Sequence, residues 1–150
     1  MHPLAKGLLA GAAGTAALNV TTYGDMLVRG RPSSDLPAQV ADKAARAVGV
    51  SPGDSAGAAH REQAAGALLG YVTGLGVGAL YGLARGRRGG PSAWLAAPLL
   101  GLAAMAGSDG PATAFGVTDP RTWSAGSWIS DLAPHLAYGA ATAAVYEAAR

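Results

Sequence analysis

The sequence predicts an all-α fold: a bundle of four membrane-spanning helices, built as a duplicated helical hairpin, with a short amphipathic helix in the first loop. Three observations carry that expectation. Half of the 150 residues are hydrophobic and only 13% are charged, against about 25% charged in soluble domains. The apolar content is small in size: alanine abounds, 23 residues are glycine and one is phenylalanine. A core folded by water needs bulky side chains, because burial stabilises in proportion to apolar area. A bilayer supplies its own apolar phase, and small side chains there let helices approach closely. Finally, four stretches each approach the ~20 residues that cross a hydrocarbon core of about 30 Å.

The expected spans cover residues 4–28, 63–84, 92–117 and 128–149 of one integral membrane domain, 1–150. The first is uncharged from Gly7 to Gly24, and the second is uncharged throughout. Lys6 followed by an apolar stretch also has the outline of a signal peptide, but three more spans follow, so an uncleaved first span is expected. The third is uncharged from Ser92 to Ser108 and then meets Asp109-Gly110-Pro111, where a helix break is expected. The fourth carries Asp131 near its start and Glu147 near its end. Between the first two spans, Ser34 or Asp35 can cap a short helix whose Leu36, Val40, Ala44 and Val48 share a face, and Gly49 can stop it. That helix suits either the membrane interface or a site packed on the spans. Residues 51–58, "SPGDSAGA", read as loop.

Trp94, Trp123 and Trp128 fall near span ends, where aromatic residues anchor at the interface. Four spans put both termini on the side of the "RGRR" turn. Five basic residues (Lys6, Arg85, Arg87, Arg88 and Arg150) then oppose six (Arg29, Arg31, Lys43, Arg46, Arg61 and Arg121). The short turn weighs more than charges spread along a long loop, so the termini are expected in the cytoplasm of a bacterial inner membrane.

Gly66, Gly70, Gly74, Gly78, Gly82 and Gly86 recur every fourth residue through the second span. Each would cost about 0.8–1 kcal/mol relative to Ala in a soluble helix. In lipid the backbone must satisfy its own hydrogen bonds, so the helix persists and the row becomes a packing groove. An i, i+4 row drifts about 40° per step, so these glycines cannot all meet one straight partner.

The second and fourth spans also resemble one another. An offset of 65 lays Gly74 on Gly139, Tyr81 on Tyr146 and Arg85 on Arg150, and an offset of 90 lays Gly11 on Gly101 and Asn19 on Asp109. A duplicated hairpin with both copies in one orientation is the expectation. In the fourth span the matched row reads Asp131, His135, Gly139, Ala143, Glu147, so positions bare in one copy are ionisable in the other. If the two rows face each other, the glycine groove leaves room for Asp131 and His135.

Ionisable groups in a bilayer are costly and face the bundle interior, a partner or a water-filled path. Asn19, Asp109, Asp131 and His135 are therefore the candidate polar site, in which His135 titrates and Asp131 orients it. The alternative is that the two aspartates cap helix ends at the interface. Gly66, Gly70, Gly74, Gly78, Gly82, Gly139 and Ala143 are the candidate packing residues. His60 and Glu62 read as a solvated helix start. With no Cys and no HxxxH or HExxH spacing, neither a metal site nor a cofactor is expected. There is no nucleophile elbow, P-loop or phosphate-binding glycine loop, so no enzymatic activity is expected. A net charge of +2, placed at the ends of apolar runs, gives no reason for a nucleic-acid partner.

Two stretches, "GTAALNVTTYGDMLVRGRPSSDLP" and "DLAPHLAYGAATAAVYEAAR", resemble segments of small uncharacterised multi-pass inner-membrane proteins of high-GC bacteria, loosely similar to the YagU-like family. The likeness covers about a third of the chain, implies a helical inner-membrane protein, and carries over no catalytic residue. The function expected is passage of a proton, ion or small solute through the polar site. The alternative is a structural or assembly subunit of a larger membrane complex, with glycine ridges as docking surfaces. The partners expected are the lipid bilayer and either further copies of the chain or that larger complex.

Overall fold

The structure, a computed structural model, describes residues 1–51, 53, 57–88 and 92–149, with the side chains of residues 87 and 88 excepted. Parts of the expected 51–58 loop and "RGRR" turn, and Arg150 with its match to Arg85, lie outside them. The described residues form five α-helices and no strand: α1 (Pro3–Arg29), α2 (Leu36–Ala47), α3 (Ala58–Arg88), α4 (Ala93–Ala114) and α5 (Ala125–Ala148), with a 3-10 turn at Pro120–Thr122.

The helix ends follow local chemistry. Pro3 opens α1, where its missing N–H leaves no bond unmade. Gly30 closes it at φ 63°, donating its N–H to the Met26 carbonyl at 2.9 Å. Helix α2 starts where Ser34 Oγ accepts the Leu36 N–H at 3.3 Å and ends at Gly49, φ 79°. The expected break at Asp109-Gly110-Pro111 does not occur, for α4 runs through it to Ala114. Pro111 falls in the last turn, so its ring removes one bond from a helix already about to stop. The stop is a Schellman arrangement: Gly116 at φ 64°, its N–H on the Thr113 carbonyl at 2.9 Å, and the Val117 N–H on the Ala112 carbonyl at 2.8 Å.

By length and composition one helix among the described residues, α3 over Ala58–Gly86, is apolar enough to cross a membrane. Within the other long helices lie Lys6, Asp25 and Arg29 (α1), Asp109 (α4), and Asp131 and Glu147 (α5), and such charges weigh heavily against apolar length.

Helix α1 packs against α3 and α5, α4 packs against α5 and less closely α3, and α2 lies across α3 and α4. The short helix thus takes the packed of its two expected positions: Ala41 is buried, and Lys43 Nζ donates to the Phe115 carbonyl at 2.8 Å.

The glycine row of α3 does not face α5. Gly74, Gly78 and Gly82 lie on α1, against Gly11, Gly7 and Pro3. A Cβ on Gly78 would come within 2.6 Å of Gly11 Cα, and one on Gly11 within 2.7 Å of the Gly74 oxygen. Gly66 lies on α2, where a Cβ would meet Pro37 and Ala38 backbone at 2.6 Å, and Gly70 faces nothing within 4 Å. The drift of an i, i+4 row explains this division: one end meets α2, the other α1, and the middle meets neither.

The α4–α5 pair closes on Gly101 and Gly139. A Cβ on Gly101 would sit 2.7 Å from the His135 oxygen, and one on Gly139 would run into the Ala97 carbonyl. What fills the interior is small or polar: Ala10, Ala96, Ala104, Thr142 and Ala143 are buried with Leu100 and the fully enclosed Tyr138. Bulky apolar side chains stand outside, among them Leu27, Leu68, Leu80, Trp94, Leu99 and Ile129, each more than half exposed.

Candidate functional site

Where α4 meets α5, four polar side chains converge. Ser108 and Asp109 are consecutive on α4, and Asp131 and His135 are one turn apart on α5. The close approach at Gly101 and Gly139 brings them together, since side chains there would hold the two backbones apart. Helix α5 begins at Ala125, its Ser124 cap accepting the Ser127 N–H at 3.1 Å. Asp131 therefore lies about 9 Å and His135 about 15 Å along the helix.

His135 is 8% exposed. Its Nδ1 lies 2.8 Å from the Asp131 carbonyl oxygen and 3.5 Å from Asp131 Oδ2, and its Nε2 lies 3.3 Å from Ser108 Oγ. A carbonyl only accepts, so Nδ1 carries a hydrogen. Ser108 Oγ also reaches the Met105 carbonyl at 3.0 Å. The carboxyls of Asp109 and Asp131 interact directly. The Oδ2 atom of each is buried with no hydrogen-bond partner. Two carboxylates in contact repel unless a proton or cation neutralises one of them.

Three of the four residues expected at a polar site thus come together: Asp109, Asp131 and His135. Asn19 is half-buried on α1 and makes no hydrogen bond to any of them among the described residues. The link from α1 comes instead from Arg29, whose Nη1 donates to Ser130 Oγ at 2.7 Å, beside Asp131. Of the expected packing residues, Gly74, Gly78 and Gly82 meet α1, Gly66 meets α2, Gly139 meets α4, Ala143 is 2% exposed, and Gly70 is open. The described residues include no group of three or more His, Cys, Asp or Glu arranged to hold a metal ion.

Two contributors escaped the sequence reading. Ser108 neighbours Asp109 in an otherwise apolar helix, and that adjacency was its signal. Tyr138 lies three residues from His135, on the same side of α5, and donates its hydroxyl to the Gly74 carbonyl at 2.6 Å across the bundle. At the opposite end, Arg85 pairs with Glu147, and Lys6 Nζ sits 4.2 Å above the Tyr146 ring, which meets Tyr81 edge-on at 4.8 Å. The last charged position of the α5 row is therefore occupied by an ion pair far from the cluster.

No family model, curated protein or solved structure matches the chain.

Proposed function

We propose that this protein is a four-span helical bundle of the bacterial cytoplasmic membrane, with cytoplasmic termini, and that its polar cluster passes a proton, ion or small solute. The observation carrying this reading is the convergence of Asp109, Asp131 and buried His135, with exposed Ser108 at its edge, among helices whose outer surface is bulky and apolar. Ionisable groups kept at such a position are functional by default, because an apolar replacement would be easier to house. The outside supports the membrane setting: Trp94 lies at one end of the bundle and Trp123 and Trp128, their rings tilted at 59° with centroids 5.0 Å apart, at the other. Helix α4, at 22 residues, spans roughly 33 Å, the depth of a hydrocarbon core.

The duplicated hairpin enters this reading with a changed register. Gly11 against Gly74 and Leu75 corresponds to Gly101 against His135 and Leu136, and Gly78 against Gly7 corresponds to Gly139 against Ala97. The first helices are related by 90 residues (Gly11 to Gly101) and the second by 61 (Gly78 to Gly139), one helical turn short of the sequence match. On this register Gly70 corresponds to Asp131 and Gly74 to His135.

Purified full-length protein in lipid vesicles carrying an internal pH indicator tests the proposal. An imposed pH gradient should collapse faster than in empty vesicles, and His135→Ala should abolish the difference. Unchanged flux in that variant would overturn the role given to the cluster.

A second reading, an assembly subunit, is favoured by Gly70, Gly76 and Gly110, which have open space where a side chain would stand and so offer close approach to another helix. Under that reading Gly70→Leu disrupts a complex recovered from native membrane while His135→Ala is silent.

A further inference from the structure

Resting on the reading of the cluster as a transport site, we infer that its ligand is a single proton, held between Asp109 and Asp131 and exchanged through His135, whose charge state is read by the Ser108 hydroxyl. Two geometric facts lead there. The first is the pair of buried Oδ2 atoms that lack a hydrogen bond, in carboxyls close enough to interact. The groups facing this pair are few. From α5 there is His135, and from α4 Ser108. From α1, Arg29 reaches Ser130, the neighbour of Asp131, and is also engaged with Asp25. The Lys43 ammonium of α2 is occupied at the Phe115 carbonyl. Helix α3 brings Thr73 against Gly107 and no charge. Apart from His135, no cationic side chain among the described residues forms an ion pair with either carboxyl, and one proton joins two carboxyls as a hydrogen bond.

The second fact is that Ser108 has one hydroxyl hydrogen and three acceptors within reach, Met105 O, the longer Ala104 O and His135 Nε2. With neutral His135, Nδ1–H faces the Asp131 carbonyl and bare Nε2 accepts from Ser108. With charged His135, Nε2–H donates to Ser108 Oγ, and the hydroxyl turns to the Met105 carbonyl. Both states are fully hydrogen-bonded and differ by one hydroxyl rotation. Ser108 is exposed while His135 is buried, so the proton enters on the Ser108 side. It arrives on Nε2, and the Nδ1 proton passes to Asp131 Oδ2, 3.5 Å away. Imidazolium and carboxylate become imidazole and carboxylic acid, with no other reactant. A proton taken from water at Nδ1 then restores the imidazolium, and loss of its Nε2 proton to water on the Ser108 side restores the starting tautomer, leaving the acquired proton on the carboxyl pair.

Infrared spectroscopy of full-length protein in phosphatidylcholine vesicles tests this directly. At neutral pH a protonated-carboxyl carbonyl band should be present, shift in D2O, and be lost in Asp109→Asn and Asp131→Asn. The band's absence from the wild type would overturn the inference, and that measurement needs no variant to fold. Ser108→Ala should slow the D2O shift about tenfold or more while Ser108→Thr restores it; equal rates in all three would remove Ser108 from the path. Nitrogen NMR of histidine-labelled protein should show His135 at rest as the Nδ1–H tautomer or the imidazolium, with the Nε2–H form only transient, and an Nε2–H tautomer as the resting form would contradict the scheme. Vesicle flux without the band leaves the transport reading standing and refutes the shared proton. The band without flux keeps the proton and refutes transport.

Discussion

In the pair α1–α3, Gly11 lies against the Gly74 carbonyl and the Cα atoms of Leu75 and Gly78; in the pair α4–α5, Gly101 lies against the His135 carbonyl and the Leu136 Cα. The backbones meet in the same way, yet the side chains differ. The first pair keeps glycine at positions 70 and 74, where the second carries Asp131 and His135 in the corresponding register. Close approach between helices therefore needs the glycines at its centre, and the turn before it is free to vary at Gly70, whereas a Cβ on Gly74 would run into the Thr15 side chain. One pair spends that freedom on nothing, while the other holds four polar side chains.

The comparison breaks most severely at its shared centre. A leucine at Gly78 would drive its side chain into the Gly7 carbonyl and Gly11 Cα, and the bundle should not assemble, as judged by loss of helical circular dichroism and of a monodisperse peak in detergent. Alanine is the finer probe. Overpacking a tight contact typically costs about 1–3 kcal/mol, so Gly78→Ala and Gly139→Ala should lower the thermal midpoint by similar amounts, both pressing on a backbone carbonyl. Gly70→Ala, with nothing within 4 Å, should stay within about 1 kcal/mol of wild type. Unequal losses at Gly78 and Gly139 would mean that the two contacts are alike in shape only.

Much of this was legible in the sequence, and the failures have a common cause. The four long helices were readable because apolar runs of that length and the end signals at Gly30 and Gly49 are local properties. The glycine row was readable as a packing surface because i, i+4 spacing fixes which residues share a helix face. Nothing in that spacing says which helix the face will meet. Matching composition suggested α5, but α1 meets the row, because its Gly7 and Gly11 are equally bare. The helix break at Pro111 failed because a proline's effect depends on how much helix follows it, here three residues. Asp109, Asp131 and His135 were found as ionisable groups in apolar helices, a signal that does not depend on partners. Asn19 is polar without being ionisable, and its place beside them depended on how α1 turns against α5.

The difference between the pairs also predicts an opposition between stability and activity. If Asp109 and Asp131 are kept for a proton and contribute nothing to folding, Asp109→Asn should raise the thermal midpoint by the equivalent of about 1 kcal/mol while abolishing vesicle flux. The substitution preserves shape and removes one of two like charges. A loss of stability at every pH would mean that the carboxyl pair holds the α4–α5 contact together.

The smallest effect concerns how the pairs are joined. Helices α3 and α5 are linked by side chains: Tyr138 donates to the Gly74 carbonyl at 2.6 Å and Tyr146 to the Gly82 carbonyl at 3.4 Å. Each carbonyl is also within the α3 helix and keeps its own backbone partner. Removing the hydroxyl therefore leaves no acceptor orphaned, and the loss should fall near the low end of the ~0.5–1.5 kcal/mol usual for such a bond. Tyr138→Phe should cost more than Tyr146→Phe, because its bond is short and fully enclosed. Tyr146 retains its ring contacts to Tyr81 and Lys6 without the hydroxyl. Thermal unfolding of the two variants and of the double variant would rank them. If both are silent, the fit of the rings alone orients α5 toward α3, and the hydroxyls only fill space between the two pairs.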